Sequence, residues 1–122
     1  MTSADGTFRR PRAAPPGGRT IVRLRGALNI DAAPALRERL TDALHRGTGL
    51  LVLDLSHVLS CDASLLAVLI GTQRRARLLG TMVRLAAPSS PVTQFMRSTG
   101  LDRSFTIYPD LGSALAAEPA GK

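Results

Sequence analysis

The stretch HVLSCDAS, His57 to Ser64, brings an imidazole, a thiol, a carboxylate and two serine hydroxyls close together in the chain. Groups of these types can ligate a metal, attack an electrophile or accept a modifying group, so each chemistry has to be weighed against what the rest of the sequence supplies. Metal binding fails on inventory: the second histidine, His45, falls near a helix end, and no carboxylate pair neighbours His57 and Cys61. These two read as a surface imidazole and a small buried thiol. A phosphate cradle is missing as well, because GTGLLVLDL has its glycines before a strand, whereas the cradle needs them between strand and helix. The expectation is therefore a protein that is not an enzyme, with no catalytic residues, no metal and no cofactor. What remains is Asp62 at the head of an apolar run, with Ser64 two residues on. Asp62 suits the N-cap of a helix, and Ser64 is either a helix-start hydroxyl bonded to backbone or a group to be modified.

The flanking elements say where that stretch lies. TIVRLRGAL reads as a strand with one wetted face that Gly26 ends. NIDAAPALRERLTDALHRG follows as an amphipathic helix with Leu36, Leu40, Ala43 and Leu44 on one stripe, Asp31 as its cap, Pro34 in its first turn and Gly47 as its left-handed stop. Leu50 to Ser56, LLVLDLS, is a nearly unbroken apolar run, which marks a central strand covered on both faces of a parallel sheet. After a loop from Ser56 to Ser64 comes a helix over Ala63 to Leu79, with Leu65, Leu69, Thr72, Ala76 and Leu79 as its stripe and Gly80 as its stop. MVRLAA is a further strand. SPVTQFMRSTG is a short helix with Ser90 as N-cap, Pro91 at its first position, an apolar face of Val92, Phe95 and Met96, and Gly100 as its stop. SFTIYP is a last strand, and Pro109 and Asp110 lead into a terminal helix through Leu111, Leu115 and Ala116. Strands alternating with helices predict a single α/β domain, its sheet mixed but mostly parallel, with about four or five strands and about four helices. In such sheets partners meet the loops at the carboxyl ends of the strands, which is where the Ser56 to Ser64 loop falls.

Composition bounds the function. The 122 residues suffice for one domain with its own core, and Cys61, as the single cysteine, forms no internal bridge, which fits a reducing cytosol. No apolar run approaches the roughly 20 residues of a membrane span, so a soluble cytoplasmic protein is expected. The formal charge of +7 invites a nucleic-acid reading, but Arg9, Arg10, Arg12 and Arg19 against Asp5 put +3 of it into residues 1–19. That Pro- and Gly-rich segment lacks a periodic apolar pattern and is expected to form a tail, its strand-like stretch Thr7 to Arg9 having no further support. Aromatics make up only 3% of the chain, too few for a base-stacking surface, and nucleic acid is disfavoured as a partner. The domain is expected over residues 20–117, with 118–122 as a C-terminal tail.

RLRGALN before a helix, LVLDLSHVLSCDAS before another, and RLAAPSSPVTQFMRSTGLDRSF together resemble the STAS domain family, specifically the bacterial anti-sigma factor antagonists. The resemblance covers residues 20–117. It implies a STAS-like fold and a partner-switching protein, whose partner is an anti-sigma factor that is also a serine kinase. Binding would free a sigma factor, phosphorylation of the antagonist would end binding, and a phosphatase would restore it. The family's acceptor serine directly follows the loop aspartate, in a pattern like Asp-Ser-Ser/Thr-Gly-Leu. Here the residues are Asp62, Ala63, Ser64, Leu65 and Leu66, so Ala63 holds the acceptor position without a hydroxyl and Ser64 is the nearby substitute. The resemblance thus implies Asn29, Asp62, Ala63, Ser64 and Leu65 as the partner-binding set and Ser64 as the phosphorylation site. Leu65 either forms an exposed contact for the partner or joins the helix stripe. The alternative is a STAS module without a phosphorylation cycle, acting as a constitutive antagonist or as a small subunit of a larger assembly such as a lipid-transport complex.

Overall fold

The computed structural model describes residues 18–117. Of the expected tails, 1–19 and 118–122, all but residues 18 and 19 lie outside the described residues, as does the stretch Thr7 to Arg9. Within them, strand β1 (Thr20–Leu28) is followed by α1 (Ala33–Leu44), β2 (Leu50–Cys61), α2 (Ala63–Leu79), β3 (Met82–Ala86), α3 (Ser90–Thr99), a single 3-10 turn (Leu101–Arg103), β4 (Thr106–Tyr108) and α4 (Leu111–Ala116). The four strands form one sheet in the order β1-β2-β3-β4, and each neighbouring pair is parallel.

Strands laid side by side in chain order and joined by crossovers of one hand must place every crossover helix on the same face. The core follows that rule. Leu51, Leu53 and Leu55 of β2 meet Leu36 and Leu40 of α1, Leu65 and Leu69 of α2, and Val92 and Met96 of α3 in one cluster. On the opposite face α4 sets Ala114 over Val52 and Ala86, with Tyr108 packed at the side. Being covered on both faces, β2 shows no polar alternation before Ser56 except Asp54. Arg84 is buried on the α4 face, where its Nη1 donates to the Ala114 carbonyl at 2.8 Å and its guanidinium carbon stands 5.6 Å from the Tyr108 ring centre.

The element order agrees with the sequence pattern, and the differences lie at the ends of elements. Gly26 does not stop β1: at φ 76° it takes a left-handed conformation within the strand, and pairing continues to Leu28. Between Arg23 and Arg25, and again between Gly26 and Ala27, the partner strand β2 carries one extra residue. These two bulges carry β2 on to Cys61, so most of the expected loop is strand and only Asp62 separates β2 from α2. The β2–β3 ladder ends at the Asp54–Ala86 pair, and beyond it Ser89 takes two β2 carbonyls: its N–H donates to the Leu55 carbonyl at 3.3 Å and its hydroxyl to the Val58 carbonyl at 2.7 Å.

At the start of α1 the cap is not Asp31, since the N-cap position is Ala32 and makes no side-chain bond. Asn29 instead takes the Asp31 and Ala32 amides of the turn that leads into the helix. Helix α1 ends at Leu44 with His45 as its cap, and Gly47 turns left-handed two residues later. Helix α3 begins one residue earlier than expected, with Ser89 as N-cap. Helix α2 spans the expected residues with Gly80 left-handed at its end, but Val68 takes a place in the buried stripe and Leu79 is out of it, 52% exposed.

Candidate functional site

The carboxyl ends of β1 and β2 meet at Asp62. Its backbone N–H donates to the Leu28 carbonyl at 3.3 Å, which holds the end of β2 against the end of β1. As N-cap of α2 it is extended (φ −133°, ψ −170°), and Oδ1 accepts from the Ser64 N–H at 2.8 Å. Its other oxygen, Oδ2, accepts from the Ile30 N–H at 3.2 Å, in the turn between β1 and α1. One carboxylate therefore ties the start of α2 to the β1–α1 turn. The Ser64 N–H and hydroxyl, helped by the Ile30 N–H, hold the Asp62 carboxyl below the usual carboxylate range and outweigh a small opposing effect of burial.

Asn29 shapes the turn that Asp62 grips. Its Oδ1 accepts from the Asp31 N–H at 3.0 Å and the Ala32 N–H at 3.2 Å, and its carbonyl accepts from the Ala32 N–H at 3.0 Å. The structure thus brings Asn29, Asp62, Ala63 and Ser64 to one end of the molecule. Ala63 is exposed, whereas Ser64 is half-buried with its hydroxyl against the Asp62 carboxylate. Leu65 is the exception. At 1% exposure it lies in the core beside Leu51 and Leu69, so the expected contact for a partner gives way to the alternative, a residue of the helix stripe. A helix turn advances about 100° per residue. When Ala63 faces out, the side chain two positions later is carried round toward the sheet.

Sequence reasoning passed over two residues at this end. Ile30, in the turn that Asp62 grips, is 70% exposed, and Leu59, three residues before Asp62 in the chain, is 76% exposed. Leu59 lies between the Gly26–Val58 and Ala27–Ser60 pairs, in the second bulge, and its neighbour Val58 is buried. Two adjacent apolar residues, Val58 and Leu59, in a strand that has begun to alternate were the available signal, because one of them must face out.

Behind this end lies a polar network that the sequence reading also missed. Asp54 is buried, and its Oδ1 accepts from the Ser56 N–H at 3.0 Å and the Ser56 hydroxyl at 2.8 Å, while Oδ2 lies 3.5 Å from Arg23 Nε. Burial pushes this carboxyl up, but the two Ser56 donors, Arg23 and His57 prevail and its net displacement is downward. The Ser56 oxygen also lies 3.1 Å from His57 Nδ1. With its proton committed to a carboxylate, that hydroxyl is a structural link rather than an activated nucleophile. Burial, and then the nearby Asp62 charge, push the half-buried Cys61 thiol up, away from the thiolate form. Among the described residues no group of three His, Cys, Asp or Glu side chains is placed to hold a metal, and no helix is long and apolar enough to cross a membrane.

Comparison with known proteins places this geometry among relatives. The family model described as "Mlab, STAS domain" matches residues 12–111. An anti-sigma factor antagonist from Mycobacterium paratuberculosis is 28% identical over 80% of this chain and 83% of its own, with a TM-score of 0.73. A protein of Thermotoga maritima, described as a candidate anti-sigma factor antagonist, is 26% identical over 86% of this chain and 90% of its own, also at 0.73. A sulfate transporter family protein from Wolinella succinogenes shares the fold at 20% identity, covering 86% of this chain and 87% of its own with a TM-score of 0.71.

Proposed function

The chain belongs to the STAS domain family, and on that premise we propose that it acts by protein binding, as an antagonist that docks an anti-sigma factor on the end surface around Asp62 and so frees a sigma factor. The observation that carries this reading is a carboxylate that ties the start of α2 to the β1–α1 turn, with exposed Ile30 and Ala63 next to it and exposed Leu59 among the last residues of β2. Apolar groups on a preorganised surface lose little entropy on docking, and a few such residues supply most of an interface's affinity. The likeness to structures described as anti-sigma factor antagonists supports the same partner class.

Control by phosphorylation belongs to this proposal, with the anti-sigma factor as serine kinase and Ser64 as acceptor. A phosphate on Ser64 would sit in the first turn of α2, where free amides and the helix dipole favour an anion. It would also add negative charge beside the Asp62 carboxylate and face the docked partner. Repulsion and desolvation of a few kcal/mol cost orders of magnitude in affinity, so binding would end while the fold stayed intact.

A second reading is favoured by two observations on the acceptor itself: Ala63 has no hydroxyl, and Ser64 is half-buried with its N–H held by Asp62. On that reading the domain is a phosphorylation-independent STAS module, a constitutive antagonist or a small subunit of a larger complex such as a lipid transporter. Intact-mass measurement after incubation with anti-sigma serine kinases and ATP, with Ser64→Ala as control and complex formation followed by size exclusion, separates the two. A phosphate on the wild type alone, with loss of the complex, supports the switch. A stable complex without a change in mass supports the second reading. Failure to form any complex overturns the antagonist assignment.

A further inference from the structure

The far end of α2 carries an anomaly that the Asp62 surface does not use. Arg75 is half-buried there, and its Nε and Nη2 are buried with no hydrogen-bond partner among the described residues. Buried donors without acceptors are costly, more so on a charged group, and native structures contain few of them. The two nitrogens form one edge of the guanidinium, the edge that grips a carboxylate through two parallel bonds.

Arg75 lines a cleft of about 170 Å³ between the ends of α1 and α2, together with Thr41, Leu44, His45, Leu78 and Leu79. None of these is acidic. Helix α2 has three arginines, Arg74, Arg75 and Arg77, and no Asp or Glu along its whole length. Beside the cleft Leu78 is 87% exposed and Leu79 is 52% exposed, adjacent apolar side chains on a helix whose other face is already packed in the core. The cleft is smaller than the few hundred Å³ of a typical small-molecule site and suits the insertion of side chains from another protein.

We propose that this cleft is a second docking site, which takes a protein segment presenting a carboxylate side chain between apolar residues. The Arg75 guanidinium lies over Gly71, one turn back along α2; swung from there into the cleft, its Nε–Nη2 edge would engage the carboxylate, and the apolar neighbours would cover Leu78 and Leu79. The site lies 13 to 17 residues along α2 from Asp62, about 20–25 Å at 1.5 Å per residue. A partner there leaves the first surface open, so the domain can hold two proteins at once.

The test uses the full chain, labelled with nitrogen-15, and a helical peptide that carries one glutamate between two leucines on one face, beside its glutamine counterpart. Arginine Nε–Hε resonances report directly on the guanidinium, and the Arg75→Lys spectrum identifies the Arg75 signal. The glutamate peptide is expected to shift that signal and the Leu78 and Leu79 amides, and to bind roughly tenfold tighter than the glutamine peptide. Arg75→Lys, which keeps the charge and loses the fork, should abolish the preference, and Leu78→Gln should weaken both peptides. Equal affinity for the two peptides, no movement of the Arg75 resonance, or association only with anionic phosphatidylglycerol vesicles would overturn the proposal. Each of these outcomes leaves the Asp62 surface untouched, so the two assignments fail separately.

Discussion

Asp62 divides its work between two oxygens, one for the first turn of α2 and one for the turn after β1, and both interactions strengthen when the carboxylate is charged. Its carboxyl is held below the ordinary range in the folded protein, so in acid the unfolded chain binds the extra proton first. The stability this contributes is complete above the unfolded value and is lost as pH falls through the lowered folded one. Asp62→Asn keeps a capping oxygen and removes the charge. The variant should be less stable than wild type at about pH 7, and the gap should close below about pH 4. Urea midpoints across that range check it. Leu59 offers the complementary experiment, because it is exposed and its substitution leaves the core alone. Leu59→Asp should weaken binding to the anti-sigma partner by about tenfold or more with an unchanged melting temperature, read by calorimetric titration and thermal denaturation.

At the scale of elements, the two bulges in β2 and the left-handed Gly26 opposite them decide where the site ends up. Among the described residues, none beyond its two chain neighbours comes within 4 Å of a Cβ built on Gly26, so a larger side chain would find room there and only its backbone angle would be strained. Gly26→Ala should therefore cost about 1–2 kcal/mol in chemical denaturation, with no cavity or clash to add to it. The same region shows what could be read from the chain beforehand. The order of strands and helices was legible because the apolar runs change period cleanly, from LLVLDLS to the stripe of α2. The end of β2 was not, because each bulge shifts the alternation by a residue, and HVLSC then imitates a loop. Asn29 rather than Asp31 caps the turn before α1 for a related reason. Either side chain can accept from backbone amides, and the choice depends on where β1 stops, which its pairing with β2 determines. Asp62 and its neighbours were legible from the helix-start pattern, whereas exposed Ile30 became apparent only once the turn was folded.

Over the whole molecule, the one-sided placement of α1, α2 and α3 leaves the sheet's other face to α4, a helix of six residues. Asp110 caps it by accepting from the Ser113 N–H at 2.7 Å, and Arg84 holds its Ala114 carbonyl, but its buried contact with the sheet is confined to a small cluster. A short element with little buried apolar area opens at low free energy. The sequence contains no tryptophan and a single tyrosine, Tyr108, which stands beside that cluster and the Arg84 guanidinium. Tyrosine emission in this protein is thus an optical gauge of one helix. In a denaturant titration it should change before the far-ultraviolet circular dichroism of the three longer helices, and coincident curves would show that α4 leaves only with everything else. A ligand that docks around Asp62, beyond the end of β2 and two strands across from Tyr108, would be nearly silent in that signal, so following binding there calls for a fluorophore introduced beside the ends of β1 and β2.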